Sequence, residues 1–287
     1  MQNNFKQVKQ ILWIILFANL AVAALKIIIG AISNSTSMTA DGFHSLTDGS
    51  SNIIGLIGIR LASKPVDEDH PYGHKKYETL AGLFISGMLF LIGGKIIYNA
   101  IERFINPVVP SIGIDCLIAL VITLCINVFV SVCEYKQGKK LGSQILVSDS
   151  MHTRSDIYVS IGVLITLIGI KLGLPPVIDP ITSLVVSGFI LRAAYIIFKE
   201  NSGILLDAAA VDIQKIEEIV LSYNQVKDVH NIRSRGSKND MHVDMHIFIE
   251  PHMSIEESHE LIHEIEAKIK QEINANLQLI AHLEPYK

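Results

Sequence analysis

Two histidine–aspartate pairs have residue types and spacing that suit metal binding. His44 precedes Asp48 by four residues, and His152 precedes Asp156 by the same interval. On a helix, residues four apart project from one face, so each pair offers an imidazole nitrogen and a carboxylate oxygen together. If the two pairs face each other, they form the kind of tetrahedral set that zinc prefers. Two carboxylates with two neutral imidazoles also balance the charge of one divalent cation, which a dry site requires.

A structural role is the alternative interpretation of these pairs. Each could be a local histidine–aspartate hydrogen bond that supports helix packing, although the repeated spacing favours one shared site. Asp41 lies three residues before His44. It is predicted either to orient that imidazole through a hydrogen bond or to serve a structural role near the end of its helix.

The elements that carry these pairs are predicted to cross a membrane. Of the 287 residues, 49% are hydrophobic and only 18% are charged, whereas soluble domains carry about 25% charged residues. Because a helix needs about 20 mostly apolar residues to cross the hydrocarbon core, we predict an all-α bundle of six membrane helices within residues 1–206. The predicted spans are Ile11–Ile32, Met38–Leu61, Leu80–Ile101, Ile112–Cys133, Ile157–Ile170 and Val177–Phe198.

The fifth of these spans is short unless the polar segment before it continues the same helix. That segment carries His152 and Asp156, and it must then face protein or water rather than lipid.

Basic residues concentrate before the first span and in the second and fourth connections, so the positive-inside rule places both termini in the cytoplasm. The first apolar run lacks the features of a cleavable signal peptide.

The charge and cysteine content exclude other classes of protein. A net charge of −4 offers no electrostatic footprint for nucleic acid. Three cysteines do not supply a disulfide framework or a cysteine-based zinc finger.

Residues 207–287 are predicted to form a small α+β domain of two helices and three strands. Residues Met241–Ile249 alternate apolar and polar side chains, which is typical of a strand with one buried face. Ser254 and Glu257 have the spacing of a helix capping box. Seven of the eleven histidines fall in this segment, which indicates a second metal-binding region.

Three ordered motifs connect these features. They are Ala40-Asp41…His44…Asp48, the loop Asp67…His70-Pro71-Tyr72-Gly73-His74…Glu78, and His152…Asp156. Together with six spans and a histidine-rich tail, they resemble the cation diffusion facilitator family over nearly the whole chain, in its bacterial-type exporters of zinc and other divalent metals. The resemblance implies a homodimer in the cell membrane that exports divalent metal in exchange for protons, and it implies that the protein is not an enzyme.

The resemblance also assigns roles to residues. It implies a transport site of His44, Asp48, His152 and Asp156, a loop site of Asp67, His70 and His74, and a charge interlock between Lys76 and Asp207. It further implies a ferredoxin-like dimerisation domain with a regulatory metal centre of His230, His246, His259, His282 and Glu284, where relatives often have aspartate in place of the glutamate. By composition alone, the loop could equally be a solvated acidic segment. His242, His252 and His263 have no assigned role, and a solvated face is expected for His242 and His263.

Zinc is the predicted cargo and is also expected to bind the cytoplasmic domain. Two imidazoles with two carboxylates suit borderline ions such as zinc, whereas manganese or iron(II) is the alternative cargo.

A rival function is suggested by His259-Glu260-Leu261-Ile262-His263, which matches the HExxH pattern of zinc proteases. The tail leaves little room for a substrate cleft, and a protease would leave the membrane histidines unexplained. A membrane metal sensor is a second rival, but a sensor would need only the tail.

Overall fold

The computed structural model describes residues 2–32, 49, 51–106, 114–175 and 177–286. The chain divides into two compact units, Met1–Asn201 and Ser202–Lys287. Six helices are described between residues 2 and 205. They are α1 (Gln2–Ile32), α2 (Ser51–Ala62), α3 (Lys76–Ile105), α4 (Ile114–Leu141), α5 (Gln144–Lys171) and α6 (Ile178–Leu205).

Four of the described helices have the length and apolar composition to cross a membrane. These segments are Asn4–Ile28 in α1, Lys76–Ile105 in α3, Leu120–Leu141 in α4 and Pro180–Leu205 in α6. The α5 helix is 28 residues long but begins with a polar segment, and α2 is a shorter apolar helix. A transmembrane helical domain is therefore confirmed, whereas the count of six spans stays a prediction. Much of the predicted second span, including Asp41, His44 and Asp48, lies outside the described residues.

Apolar packing fixes the start of α5 against its neighbours. Leu12 of α1, Ile59 of α2 and Ile145 of α5 are almost completely buried in one cluster with Ala81 of α3. A Cβ atom added to Gly58 would lie 2.6 Å from the Cβ of Ala81, so the absence of a side chain lets α2 and α3 approach closely. The helix that carries His152 therefore begins in a tightly packed region.

The second unit contains α7 (Ile213–Leu221), β1 (Val226–Ser237), β2 (Asp240–Ile249), α8 (Ile255–Glu272) and β3 (Leu277–Pro285). The sheet order is β1-β2-β3, with β1 antiparallel to β2 and β3 parallel to β2. The predicted two helices and three strands are confirmed within the described residues. The finer assignment as ferredoxin-like stays a prediction.

The alternating pattern of β2 places one face of the sheet in the domain core. Met241, Val243, Met245, Ile247 and Ile249 are all buried. They pack with apolar residues of both helices, including Ile216 of α7 and Ile265 of α8. Because side chains alternate along a strand, His242 and His246 lie on the opposite face of β2.

The predicted capping box of α8 is present, because the Ser254 and Glu257 side chains each bond the other residue's backbone N–H.

Candidate metal sites

The α5 half of the predicted transport site contains a buried histidine. His152 is 2% exposed, and within the described part of the chain neither of its ring nitrogens has a hydrogen-bond partner. Buried polar side chains normally have such partners, so this imidazole is suited to binding a ligand. Asp156 follows one turn later on the same helix and is half-buried. Because His44 and Asp48 lie outside the described residues, the convergence of the two pairs stays a prediction.

A buried carboxylate from α3 holds the first turn of α5. Glu78 accepts a hydrogen bond from the Ser143 hydroxyl and a second from the backbone N–H of Ile145 at 3.5 Å. The first N–H groups of a helix lack partners within the helix and carry partial positive charge. Glu78 therefore stabilises the start of the helix that positions His152 and Asp156.

A polar network links four helices beside this pair, and its carboxyl groups were not predicted to meet. Thr153 donates to Oε2 of Glu134 at 3.1 Å, and Glu134 lies beside Asp149. The Asn52 amide donates to Oδ2 of Asp149, and Asn19 donates to Oδ1 of Asn52 at 2.8 Å. Oε1 of Glu134 and Oδ1 of Asp149 have no hydrogen-bond partner within the described ranges.

The signal for this network was present in the sequence. Glu134 lies one residue beyond the predicted fourth span, and Asp149 lies in the polar segment before the fifth. Ionisable residues at membrane depth are functional candidates by default. Only the packing of α4 against α5 shows that the two carboxyl groups meet.

The predicted loop site is assembled in the structure. Oδ1 of Asp67 lies 2.9 Å from Nδ1 of His70, and Oδ2 of Asp67 lies 3.2 Å from Nε2 of His74. The two imidazole centroids are 4.2 Å apart, and one ligand atom from each of the three residues lies within 4.8 Å of the other two. The loop therefore holds its three candidate ligands close together.

Hydrogen bonds orient the side chains of this loop. Nδ1 of His74 lies 3.0 Å from the carbonyl oxygen of Pro65, and donation to that carbonyl orients the ring so that Nε2 faces Asp67. Asp67 is acidic for its residue type, because the hydrogen bond from His70 is the main factor that lowers its pKa below the ordinary 3.8. An ionised carboxylate with two imidazoles at this range is a suitable donor set for a divalent ion.

Three of the predicted tail ligands converge on the exposed face of the sheet. His230, His246 and Glu284 each place one ligand atom within 4.8 Å of the others. Nδ1 of His246 is 2.7 Å from Oε1 of Glu284, and Nε2 of His230 is 3.8 Å from the same oxygen. One oxygen of Glu284 therefore lies within 4 Å of both imidazoles.

Strand register explains this convergence and places a fourth ligand beside it. His230 pairs with His246 across β1 and β2, and His246 pairs with His282 across β2 and β3. Residues directly opposite each other on adjacent strands lie side by side, and the His246 and His282 ring centroids are 4.9 Å apart. Nε2 of His282 lies 3.9 Å from Oε1 of Glu284, at the edge of the group.

His259 makes a different contact from the one that the family resemblance implies. It lies on α8, where its Nε2 is 3.1 Å from Nε2 of His263. His242 lies 3.5 Å from a carboxylate oxygen of Asp240, and His252 is exposed. The assignment of His259 to the sheet-face centre stays a prediction.

The predicted interlock between Lys76 and Asp207 would join the two units and stays a prediction. Lys76 begins α3 in the first unit. Asp207 lies in the second unit with a φ of 52°, in the left-handed region that non-glycine residues seldom adopt. One oxygen of Asp207 lies 3.9 Å from a guanidinium nitrogen of Arg235 in the same unit.

Most of the chain matches two known domain families. Residues 12–206 match the family described as the cation efflux transmembrane domain. Residues 208–286 match the family described as the cation efflux protein cytoplasmic domain.

Curated relatives align over nearly the full length of this chain. An uncharacterised transporter of Methanocaldococcus jannaschii is 32% identical over 94% of this chain and 94% of its own length. The manganese efflux system protein MneS of Bacillus subtilis is 32% identical over 93% of this chain and 92% of its own. Metal tolerance protein 2 of Oryza sativa is 31% identical over 93% of this chain and 76% of its own.

Proposed function

The chain belongs to the cation diffusion facilitator family, and on this premise we propose that it exports zinc from the cytoplasm in exchange for protons. Members of this family are transporters rather than enzymes, and divalent metal efflux across a membrane is the function that the family assigns. The choice of zinc, the proton coupling and the ligands are the proposed parts. We also propose a homodimer in the cell membrane with both termini cytoplasmic, and a domain boundary between residues 206 and 207.

The observation that best supports the proposal is the buried environment of His152. A buried imidazole with no hydrogen-bond partner among the described residues, one turn from a carboxylate, supports a ligand-binding role. The proposed site adds His44 and Asp48 from the second span to His152 and Asp156 from the fifth. Two imidazoles and two carboxylates would neutralise and enclose one divalent ion.

Proton exchange follows from the chemistry of these ligands. Metal binding requires neutral histidine and ionised aspartate, so binding releases protons. In an inward-facing state, metal would reach the site from the cytoplasm along the polar first half of α5. In an outward-facing state, external protons would compete for the same groups and release the metal. Imidazole has a reference pKa of about 6.5, so mild external acidity would favour release.

Manganese is the second candidate cargo, because MneS is named as a manganese efflux protein. Hard cations prefer oxygen ligands, and oxygen donors lie close to His152. Asp149 is about one turn before it on α5, Thr153 is the next residue, and Glu134 of α4 contacts Thr153. Imidazole ligands favour zinc instead. Replacement of both His44 and His152 by aspartate is therefore expected to shift preference from zinc toward manganese.

We further propose that the loop and the sheet face bind zinc when the ion is present in the cytoplasm. The donor sets support this, because each combines two imidazoles with a carboxylate at short range. Asp67, His70 and His74 would hold one ion. His230, His246 and Glu284, with His282 at the edge, would hold another.

The test is metal uptake into proteoliposomes under a pH gradient. We expect zinc uptake by the unaltered protein, and loss of uptake in the His152→Ala and Asp156→Ala variants. Ile161→Ala is the matched control on the same helix, because Ile161 is 40% exposed and its truncation removes little packing. Parallel measurements with manganese decide between the two cargoes.

Three outcomes would contradict the proposal. Equal zinc uptake by His152→Ala and Ile161→Ala would exclude the ligand assignment. An equal rate of zinc uptake with and without the pH gradient would exclude proton exchange. Transport of manganese with no transport of zinc would favour the alternative cargo.

A further inference from the structure

The outer face of α8 carries two histidines that point at each other. Nε2 of His259 and Nε2 of His263 are 3.1 Å apart, and the ring planes meet at 88° with centroids 4.4 Å apart. The opposite face of α8 is buried through Leu261 and Ile265. The backbone beneath the two rings is therefore held in place, while the His263 side chain is 63% exposed.

The separation of the two nitrogens matches a pair of metal ligands in neighbouring coordination positions. An ion about 2.1 Å from each nitrogen, with the nitrogens 3.1 Å apart, would make a nitrogen–metal–nitrogen angle of about 95°. That angle lies between those of octahedral and tetrahedral geometry. The two nitrogens therefore need little movement to bind one ion.

A neighbouring carboxylate favours the required form of His263. Oε2 of Glu266 lies 3.8 Å from Nδ1 of His263, and Lys270 holds the other Glu266 oxygen at 2.8 Å. A carboxylate on the Nδ1 side favours the proton on Nδ1 and leaves the Nε2 lone pair for a metal. Metal-binding histidines commonly have such a partner.

We propose that His259 and His263 form a two-histidine site for a borderline divalent cation such as zinc, copper or nickel. Imidazole ligands suit these ions, and water would complete the coordination. The site lies on α8 and uses a ligand, His263, that the family resemblance leaves without a role. It also gives the HExxH pattern a purpose that requires no proteolysis, and it does not depend on the transport site.

The probe is copper(II) nitrilotriacetate, a chelate that leaves neighbouring coordination positions free for two imidazoles. Binding to the purified full-length protein in detergent is measured by titration and by electron paramagnetic resonance. We expect His263→Ala and His259→Ala each to remove the same bound equivalent per chain, because loss of chelation weakens binding about a hundredfold or more. Because copper(II) binds imidazole more tightly than zinc does, only a large excess of zinc chloride should displace that equivalent.

His252→Ala is the matched control, because His252 is an exposed histidine of the same domain outside the pair. It should keep every bound equivalent, and circular dichroism should show unchanged helix content in all three variants. Unchanged copper binding in His263→Ala would overturn the proposal. Loss of the equivalent in His259→Ala alone would also overturn it, and would return His259 to the sheet-face centre.

Discussion

Two buried histidines in this protein differ in the polar groups that contact their ring nitrogens. His74 has a backbone carbonyl beside Nδ1 and a carboxylate beside Nε2. His152 has neither kind of partner among the described residues. The first lies in the loop that follows α2, and the second lies on α5. Each is a ligand in one of the sites proposed above, and the two proposed sites therefore differ in how the ring is held before metal binds.

The Asp67 carboxyl supports a pH prediction for the metal-free protein. Its pKa is lowered chiefly by the hydrogen bond from His70. A lowered pKa means that ionised Asp67 stabilises the loop at pH values above its unfolded pKa. This contribution is lost as the pH falls through the lower folded pKa. In His70→Ala we expect the Asp67 pKa to rise toward the ordinary 3.8, measured by carbon-13 NMR of labelled aspartate.

Tyr72→Phe is the control for that titration, because it changes an exposed side chain in the same loop. It should leave the Asp67 pKa where the unaltered protein has it. An Asp67 pKa that does not rise in His70→Ala would show that the hydrogen bond is not the cause.

The buried network yields a second residue-scale prediction. Asn52→Ala removes the amide that donates to Oδ2 of Asp149 and leaves a buried acceptor without that donor. Such a loss costs about 1–3 kcal/mol, so the thermal unfolding midpoint in detergent should fall. Asn99→Ala, which alters an exposed asparagine of α3, should change it little. Equal midpoints for the two variants would argue against a stabilising network.

At the scale of elements, close backbone approach decides which substitutions the fold tolerates. The β1–β2 hairpin places Gly236 at a φ of 104°, and a Cβ atom there would lie 2.0 Å from the backbone oxygen of Asp240. Side chains other than glycine rarely adopt this conformation. The hairpin that aligns His230 with His246 therefore depends on this glycine.

Gly236→Ala is expected to destabilise the cytoplasmic domain by about 1–3 kcal/mol or more. Hydrogen exchange of the β1 and β2 amides should accelerate, because the strained turn weakens their pairing. Gly188→Ala in α6 is the matched control, since no atom of the described residues lies within 4 Å of its added Cβ. If the β1 and β2 amides exchange at the same rate in both variants, the turn tolerates a side chain and the prediction is wrong.

At the scale of the whole molecule, metal binding should raise stability. A ligand that binds only the folded state stabilises it by about 2.7 kcal/mol at one hundred times its dissociation constant. We expect zinc to raise the unfolding midpoint of the full-length protein in a concentration-dependent way. Chelator should reverse this increase, and His74→Ala combined with His246→Ala should reduce it.

His252→Ala is the control for this measurement, because it removes an exposed histidine outside both ligand groups. If zinc does not change the unfolding midpoint of the unaltered protein, the proposed zinc sites in the loop and on the sheet face are excluded. A full response in the double variant would place the bound zinc elsewhere.

The sequence by itself determined the features that depend on local spacing and composition. Four-residue spacing put His152 and Asp156 on one helical face, and alternation along Met241–Ile249 identified the buried face of β2. The division into a membrane part and a soluble part followed from the distribution of charge. The ordered motifs were enough to identify the family. These features need no knowledge of which elements are neighbours.

Only the tertiary structure decided which side chains meet across elements. The register of three strands brings His230, His246 and Glu284 together. The packing of α4 on α5 sets Glu134 against Asp149, a contact that spacing along one helix does not reveal. Contacts between elements depend on packing of the whole domain, because each strand or helix alone permits many neighbours.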